Sequence, residues 1–137
     1  MGNLQPRAGG QRNQSDEPSV LLVDDQVDFR EAIGLWLERR GFSVTTAENG
    51  VEAIASASQH QPDVILMDLN MPVLDGISAT AQLKASSRLA SIPVIGFTAR
   101  PLTEVEAPAK AAGMHTVVGK QSLDDLIVLL RAVVPKH

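Results

Sequence analysis

The stretch Val64-Ile65-Leu66-Met67-Asp68-Leu69-Asn70-Met71-Pro72-Val73-Leu74-Asp75-Gly76 decides the fold. Four apolar residues run into a carboxylate, and a loop containing Pro72 and Gly76 follows. A short, unbroken apolar run closed by turn residues is the pattern of a strand buried on both faces. Asp68 is therefore expected at the carboxyl edge of a sheet, where α/β folds bind their ligands. Asp75 reads as the N-cap of a helix that opens at Gly76.

The same grammar repeats on either side. Val20–Val23 runs into Asp24-Asp25, Ile92–Phe97 into Thr98, and Thr116–Val118 leads to Lys120. Phe42-Ser43-Val44-Thr45-Thr46 is more polar and alternates, as an edge strand should. Helical patterns fall between these runs. Phe29, Ala32, Ile33, Trp36 and Leu37 form one face, stopped at Gly41. Val51, Ile54, Ala55 and Ser58 form a second, and Leu123, Leu126, Ile127 and Leu130 a last one. Ser122 with Asp125 resembles a capping box for that last helix. The helix expected near Thr103 to Ala112 contains Pro108, which removes an amide donor and predicts a short, kinked or shifted helix. Strands alternating with helices give an α/β (βα)5 chain, and right-handed crossovers with short loops make it doubly wound. The strand order 2-1-3-4-5 suits a five-stranded parallel sheet, with the switch point between the strands that end in Asp24-Asp25 and Asp68.

A chain of 137 residues suffices for one domain with one core. It has no cysteine, which excludes disulfides and thiolate metal sites. No run of about 18 apolar residues predicts a membrane span, and no apolar N-terminal stretch predicts a signal peptide. The expected setting is cytoplasmic. The net charge of −4, with both signs scattered, argues against a direct nucleic-acid surface. Residues 1–18, rich in Gly, Pro, Gln and Asn, read as a disordered tail, and 19–137 as the folded domain. Met1-Gly2 invites N-myristoylation, but Pro6 stands where Ser or Thr is wanted. His60, His115 and His137 have no ligand-like spacing and read as surface groups, and Trp36 reads as packing. Asp124 and Asp125 read as favouring a helix N-terminus.

Convergence of the strand ends would put Asp24, Asp25 and Asp68 within a few ångströms. Like charges about 4 Å apart repel by about 4 kcal/mol at an effective dielectric near 20. Such a cluster needs a cation, a buried lysine or raised pKa values. Lys120 offers the lysine. An all-oxygen donor set without His or Cys points to Mg2+, which takes one or two carboxylates plus a phosphate oxygen. A carboxylate can itself be the nucleophile towards phosphorus, giving an aspartyl phosphate.

Asp24-Asp25, the segment from Asp68 to Gly76, Thr98-Ala99 and Lys120 together resemble the receiver domain of two-component response regulators, of the chemotaxis-receiver-like single-domain kind. Ala47-Glu48-Asn49-Gly50 with Glu52-Ala53 matches the family's turn into its second helix. Each piece is common alone; the set, in this order and each at a strand end, is specific. The resemblance covers about Ser19 to the C-terminus and implies a flavodoxin-like fold. It implies Asp68 as phosphoacceptor from a histidine kinase or histidine phosphotransfer protein, within a two-component or phosphorelay system that switches a downstream protein partner. It implies Asp25, Asp68 and the Asn70 carbonyl as Mg2+ ligands, with Asp24 bound through water. Lys120 would pair with Asp68 at rest, and Thr98 and Ala99 would close on the phosphoryl group. Asn70 and Arg100 would tune dephosphorylation. Only self-phosphorylation and self-dephosphorylation are expected, not turnover as an enzyme.

Two positions depart from the family. Val117 stands where Tyr or Phe is usual, and Gln121 stands where Pro usually follows the lysine, so the bond before Gln121 is expected to be trans. The expectation is intact phosphorylation chemistry with atypical output. The rivals are a phosphorylation-independent interaction module, which Val117 favours, and a Mg2+-dependent aspartyl-phosphate phosphatase. The latter wants a second Asp where Asn70 stands. The sequence leaves open whether this is a stand-alone receiver or part of a larger regulator or hybrid kinase, and its oligomeric state.

Overall fold

The computed structural model describes residues 17–135. Five strands alternate with five helices: β1 (Ser19–Val23), α1 (Val27–Glu38), β2 (Ser43–Ala47), α2 (Gly50–His60), β3 (Val64–Asp68), α3 (Gly76–Ala85), β4 (Val94–Thr98), α4 (Leu102–Ala112), β5 (Thr116–Gly119) and α5 (Leu123–Val133). All pairings are parallel, in the order β2-β1-β3-β4-β5. The chain reverses direction across the sheet between β1 and β3, as the pattern of apolar runs predicted.

Side chains alternate across a strand, so consecutive apolar residues feed two cores. Leu21, Val23, Ile65, Met67 and Val94 pack with Ala53, Ala57, Ala79, Leu83, Val105 and Ala109, which places α2, α3 and α4 on one face. Val20, Leu22, Leu66, Ile95, Phe97 and Val118 pack with Ile33, Leu37, Leu126 and Leu130, which places α1 and α5 on the other. Strands β1, β3, β4 and β5 are covered on both faces, and the alternating, half-exposed β2 forms one edge.

The predicted face of α1 holds at Phe29, Ile33, Trp36 and Leu37, with one change, and that of α2 is corrected. In α1, Ala32 is exposed and Gly34 is buried against Leu22 and Val44. In α2 the buried residues are Gly50, Ala53 and Ala57; Val51 is 55 % exposed, Ala55 is exposed, and Ile54 and Ser58 are half-buried. Close approach sets the phase of α2. A Cβ at position 50 would lie 2.5 Å from the Leu74 carbonyl oxygen, so the smallest residues face inward. Hydrophobicity ranks Val51 as a core residue, but steric fit places it outside.

The helix around Pro108 is neither short nor displaced. It spans 11 residues, as α2 and α5 do. Pro108 and Glu104, whose carbonyl loses its usual donor, both lie on the exposed side, where water serves. Val105 and Ala109 keep the inner face packed, and Gly113, at φ 108°, ends the helix with its N–H on the Lys110 carbonyl at 3.0 Å. The capping box at α5 does not form: Ser122 makes no side-chain cap bond, because its backbone (φ −109°, ψ 61°) is not extended. Asp75 does cap α3, accepting from Ser78 N–H at 2.8 Å. No described peptide bond is cis, including that before Gln121.

The folded part begins before residue 19, since the Pro18 carbonyl accepts from Ser43 N–H at 2.9 Å. The tail reading over residues 1–16, the Met1-Gly2 motif and His137 lie outside the described residues. His60 and His115 are exposed and Trp36 is half-buried, as expected. No described helix is long and apolar enough to cross a membrane.

Candidate functional site

The parallel register assembles the site. Val23 pairs with Met67 and Asp68 with Phe97, so Asp24, one residue beyond Val23, falls beside Asp68. A carboxylate oxygen from each of Asp24, Asp25 and Asp68 lies within 4.8 Å of the others. Asp24 is fully buried and Asp68 nearly so, whereas Asp25 is exposed. The sheet edge also carries a cavity of about 280 Å³ lined by Asp25, Gln26, Asp68, Asn70, Ala99 and Lys120.

Each acidic group is held from several sides. Gln26 N–H donates to Asp24 Oδ1 at 2.9 Å, and Arg30 Nη1 donates to the Asp24 carbonyl at 2.7 Å, tying the β1–α1 turn to α1. Asn70 N–H donates to Asp68 Oδ1 at 3.2 Å. Gly76 lets α3 start against the Asp68 backbone: a Cβ there would lie 2.1 Å from the Asp68 carbonyl oxygen. Lys120 forms the expected ion pair with Asp68 and a second, shorter one with Asp24. Its Nζ lies 2.8 Å from Asp24 Oδ2 and 3.7 Å from Asp68 Oδ2, so the closer pair is with Asp24. Asp24 is the more buried partner and strengthens attraction most where water is scarce.

Burial, followed by the charge of Asp24, pushes the Asp68 carboxyl up to about 6, against the lowering by Lys120 and the Asn70 amide. One lysine therefore does not offset three carboxylates, and the remaining negative charge calls for a cation. The donor set is oxygen only, which fits a hard divalent ion such as Mg2+.

Thr98 is fully buried and does not line the cavity. Its Oγ1 accepts from Arg100 N–H at 3.0 Å, which leaves its own O–H proton free to donate elsewhere. Arg100 spans the rim, with Nη1 3.4 Å from Asn70 Oδ1 and Nη2 3.4 Å from Glu104 Oε1. Val117 sits in the core, and the Met114 sulfur and the Val117 side chain close over Gly96. Beside it runs an apolar groove of about 370 Å³ between α4, β5 and α5.

The structure thus gathers Asp24, Asp25, Asp68, Asn70, Ala99 and Lys120, with Arg100 at the rim and Thr98 behind. Sequence reasoning missed Gln26, Arg30 and Phe29, whose ring centroid lies 4.4 Å from Lys120 Nζ, as members of the site. The helical spacing marked Phe29 only as packing, and nothing in the sequence marked the other two.

The family model for the response regulator receiver domain matches residues 20–131. A transcriptional regulatory protein, PrrA of Mycobacterium tuberculosis, is 36% identical over 121 residues, covering 88% of this chain and 51% of its own length. The chain thus spans about half the length of that relative. The structure is similar to a chemotaxis protein, CheY4 of Vibrio cholerae, at TM-score 0.80 and 30% identity, covering 86% of this chain and 99% of that one. It is also similar to the receiver domain of a sensor histidine kinase from Pseudomonas aeruginosa, solved with a magnesium ion coordinated in its active site cleft. The TM-score is 0.78 and the identity 32%, covering 85% of this chain and 97% of that one.

Proposed function

The chain belongs to the response regulator receiver domain family, and from that membership we propose that it is a phosphoacceptor switch whose Asp68 takes a phosphoryl group from a phosphohistidine. The observation that carries this reading is the buried Asp68 carboxylate beside Asp24, Asp25 and Lys120 at the switch point.

In the proposed step, an Asp68 carboxylate oxygen attacks phosphorus, an O–P bond forms, the N–P bond breaks, and the imidazole leaves with its electron pair. Asp25, Asp68 and the Asn70 carbonyl would hold a Mg2+ ion, with Asp24 acting through a water ligand. When bound, that ion supplies positive charge against the phosphoryl oxygens and the crowded carboxylates. The Lys120 ammonium, lodged between Asp24 and Asp68, turns to the phosphoryl oxygens. The Thr98 hydroxyl and the Ala99 amide close from the β4 side, and Arg100 and Asn70 at the rim govern the access of water for dephosphorylation. The donor is a histidine kinase or histidine phosphotransfer protein, and the reader is a downstream protein. A cytoplasmic setting, where donors charged from ATP are found, belongs to the same proposal. The chain acts as a switch rather than as a turnover enzyme, because Asn70 offers no second carboxyl to work as acid and base. Output differs from the aromatic-coupled route, because Val117 has no ring to swing.

One experiment tests the reading. With acetyl phosphate and Mg2+, intact mass should show one added phosphoryl group on the wild type and none on Asp68→Asn. An unmodified wild type, both with acetyl phosphate and with a phosphorylated histidine phosphotransfer protein, would leave the rival reading: an interaction module that works without phosphate. The lack of an aromatic ring at Val117 favours that rival.

A further inference from the structure

The sequence has three Phe, one Trp and no Tyr, yet two of these four rings face one ammonium. Lys120 Nζ lies 4.4 Å from the centroid of Phe29 and 5.9 Å from that of Phe97. The two rings contact each other at 5.6 Å, tilted by 39°. Phe97 precedes Thr98 on β4, while Phe29 comes from the first turns of α1, one residue before the arginine that holds the Asp24 carbonyl. The Lys120 side chain is only 16% exposed. Its ammonium is therefore enclosed by carboxylates on one side and aromatic faces on the other.

We infer that Phe29 is a positioning residue for the phosphoacceptor chemistry, its ring face holding the Lys120 ammonium within reach of both Asp24 and Asp68. The inference rests on the reading of Asp68 as phosphoacceptor. A ring face attracts a cation through its quadrupole without taking up strong hydrogen bonds. The N–H donors of Lys120 stay available for carboxylate and phosphoryl oxygens. The ring also fixes the height of Nζ above the sheet edge, so that the move from Asp24 to a phosphoryl group on Asp68 is a short slide across one surface. An aliphatic side chain of similar size would fill the space but leave Asp24, the nearer carboxylate, to hold the ammonium without a counter-attraction.

The test is labelling of the full chain by acetyl phosphate with Mg2+, followed by intact mass. Phe29→Leu is expected to slow labelling at saturating acetyl phosphate by about threefold to tenfold, the range set by a partly desolvated cation–ring contact, with the half-saturating Mg2+ concentration unchanged. Phe29→Tyr keeps the wild-type rate. In a Lys120→Met background, Phe29→Leu adds nothing. An unchanged rate in Phe29→Leu, or an equal loss with and without Lys120, overturns the inference. Should leucine unfold the chain, mono-, di- and trifluorinated phenylalanines at position 29 weaken the ring's attraction at nearly constant volume. A stepwise fall in rate then supports the inference, and a flat series overturns it. Absence of an Asp68-dependent adduct on the wild type removes the functional reading and this inference together. An adduct with a flat Phe29 series removes this inference alone.

Discussion

At the scale of the residue, Asp68 is in tension with its surroundings. Its carboxyl is raised from 3.8 to about 6 by burial and by Asp24. A carboxyl raised in the folded state binds its proton more tightly there than in the unfolded chain. Stability from this group is greatest below its unfolded value and is lost as the pH rises through the folded one. At neutral pH, with no divalent ion, the ionised Asp68 thus opposes folding by about 3 kcal/mol at most. Asp68→Asn should stabilise the metal-free protein at pH 7 by an amount on the order of 2 kcal/mol, and the gain should fall to about 0.5 kcal/mol near pH 4. Denaturant melts of both proteins at the two pH values check this. Val73 is a second residue under strain. It is a β-branched residue at φ 71°, and Leu74 N–H reaches the Pro72 carbonyl at 2.7 Å across it, a tight γ-turn. Its side chain is 79% exposed and makes no packing to compensate. Val73→Gly should raise stability by up to about 1 kcal/mol in equilibrium unfolding, because glycine, lacking a Cβ, adopts positive φ without a steric cost.

At the scale of the element, α4 shows packing overriding propensity. Pro108 costs up to about 3 kcal/mol in a helix interior, yet Val105 and Ala109 bury their side chains on either side of it and the helix continues. Pro108→Ala restores a donor for the Glu104 carbonyl. It should stabilise the protein by about 1–2 kcal/mol, less than the full cost because alanine also frees the unfolded chain. Denaturant unfolding checks this, with hydrogen exchange in α4 slowing in parallel. Helix α2 shows the opposite failure of pattern reading. Its inner stripe is marked by Gly50, Ala53 and Ala57, residues too small to register as a hydrophobic face. The strands were legible, because a strand covered on both faces must be apolar throughout and each run ended at its polar residue.

At the scale of the whole molecule, four strand ends and the loops behind them form one anionic site, so occupancy of that site is linked to folding of the entire sheet. Mg2+ at about 100 times its dissociation constant should stabilise the chain by about 2.7 kcal/mol. The shift should be seen in thermal melts of the wild type and be largely lost in Asp25→Ala, whose carboxylate is the exposed member of the trio. A monovalent salt at equal ionic strength should not reproduce it, since screening acts weakly on buried charges.

The sequence by itself determined the class of the fold, the strand order and the acidic, threonine and lysine positions of the site. Those depend on apolar runs and on polar residues at their ends, which are local in the chain. Tertiary structure decided what depends on distance between remote segments. It paired Lys120 with Asp24 as well as with Asp68. It turned Phe29 from a packing residue into a neighbour of that lysine, and it let α4 carry Pro108 by turning it towards water. In each case the energy lies in a contact between elements far apart in sequence, which no pattern along the chain records.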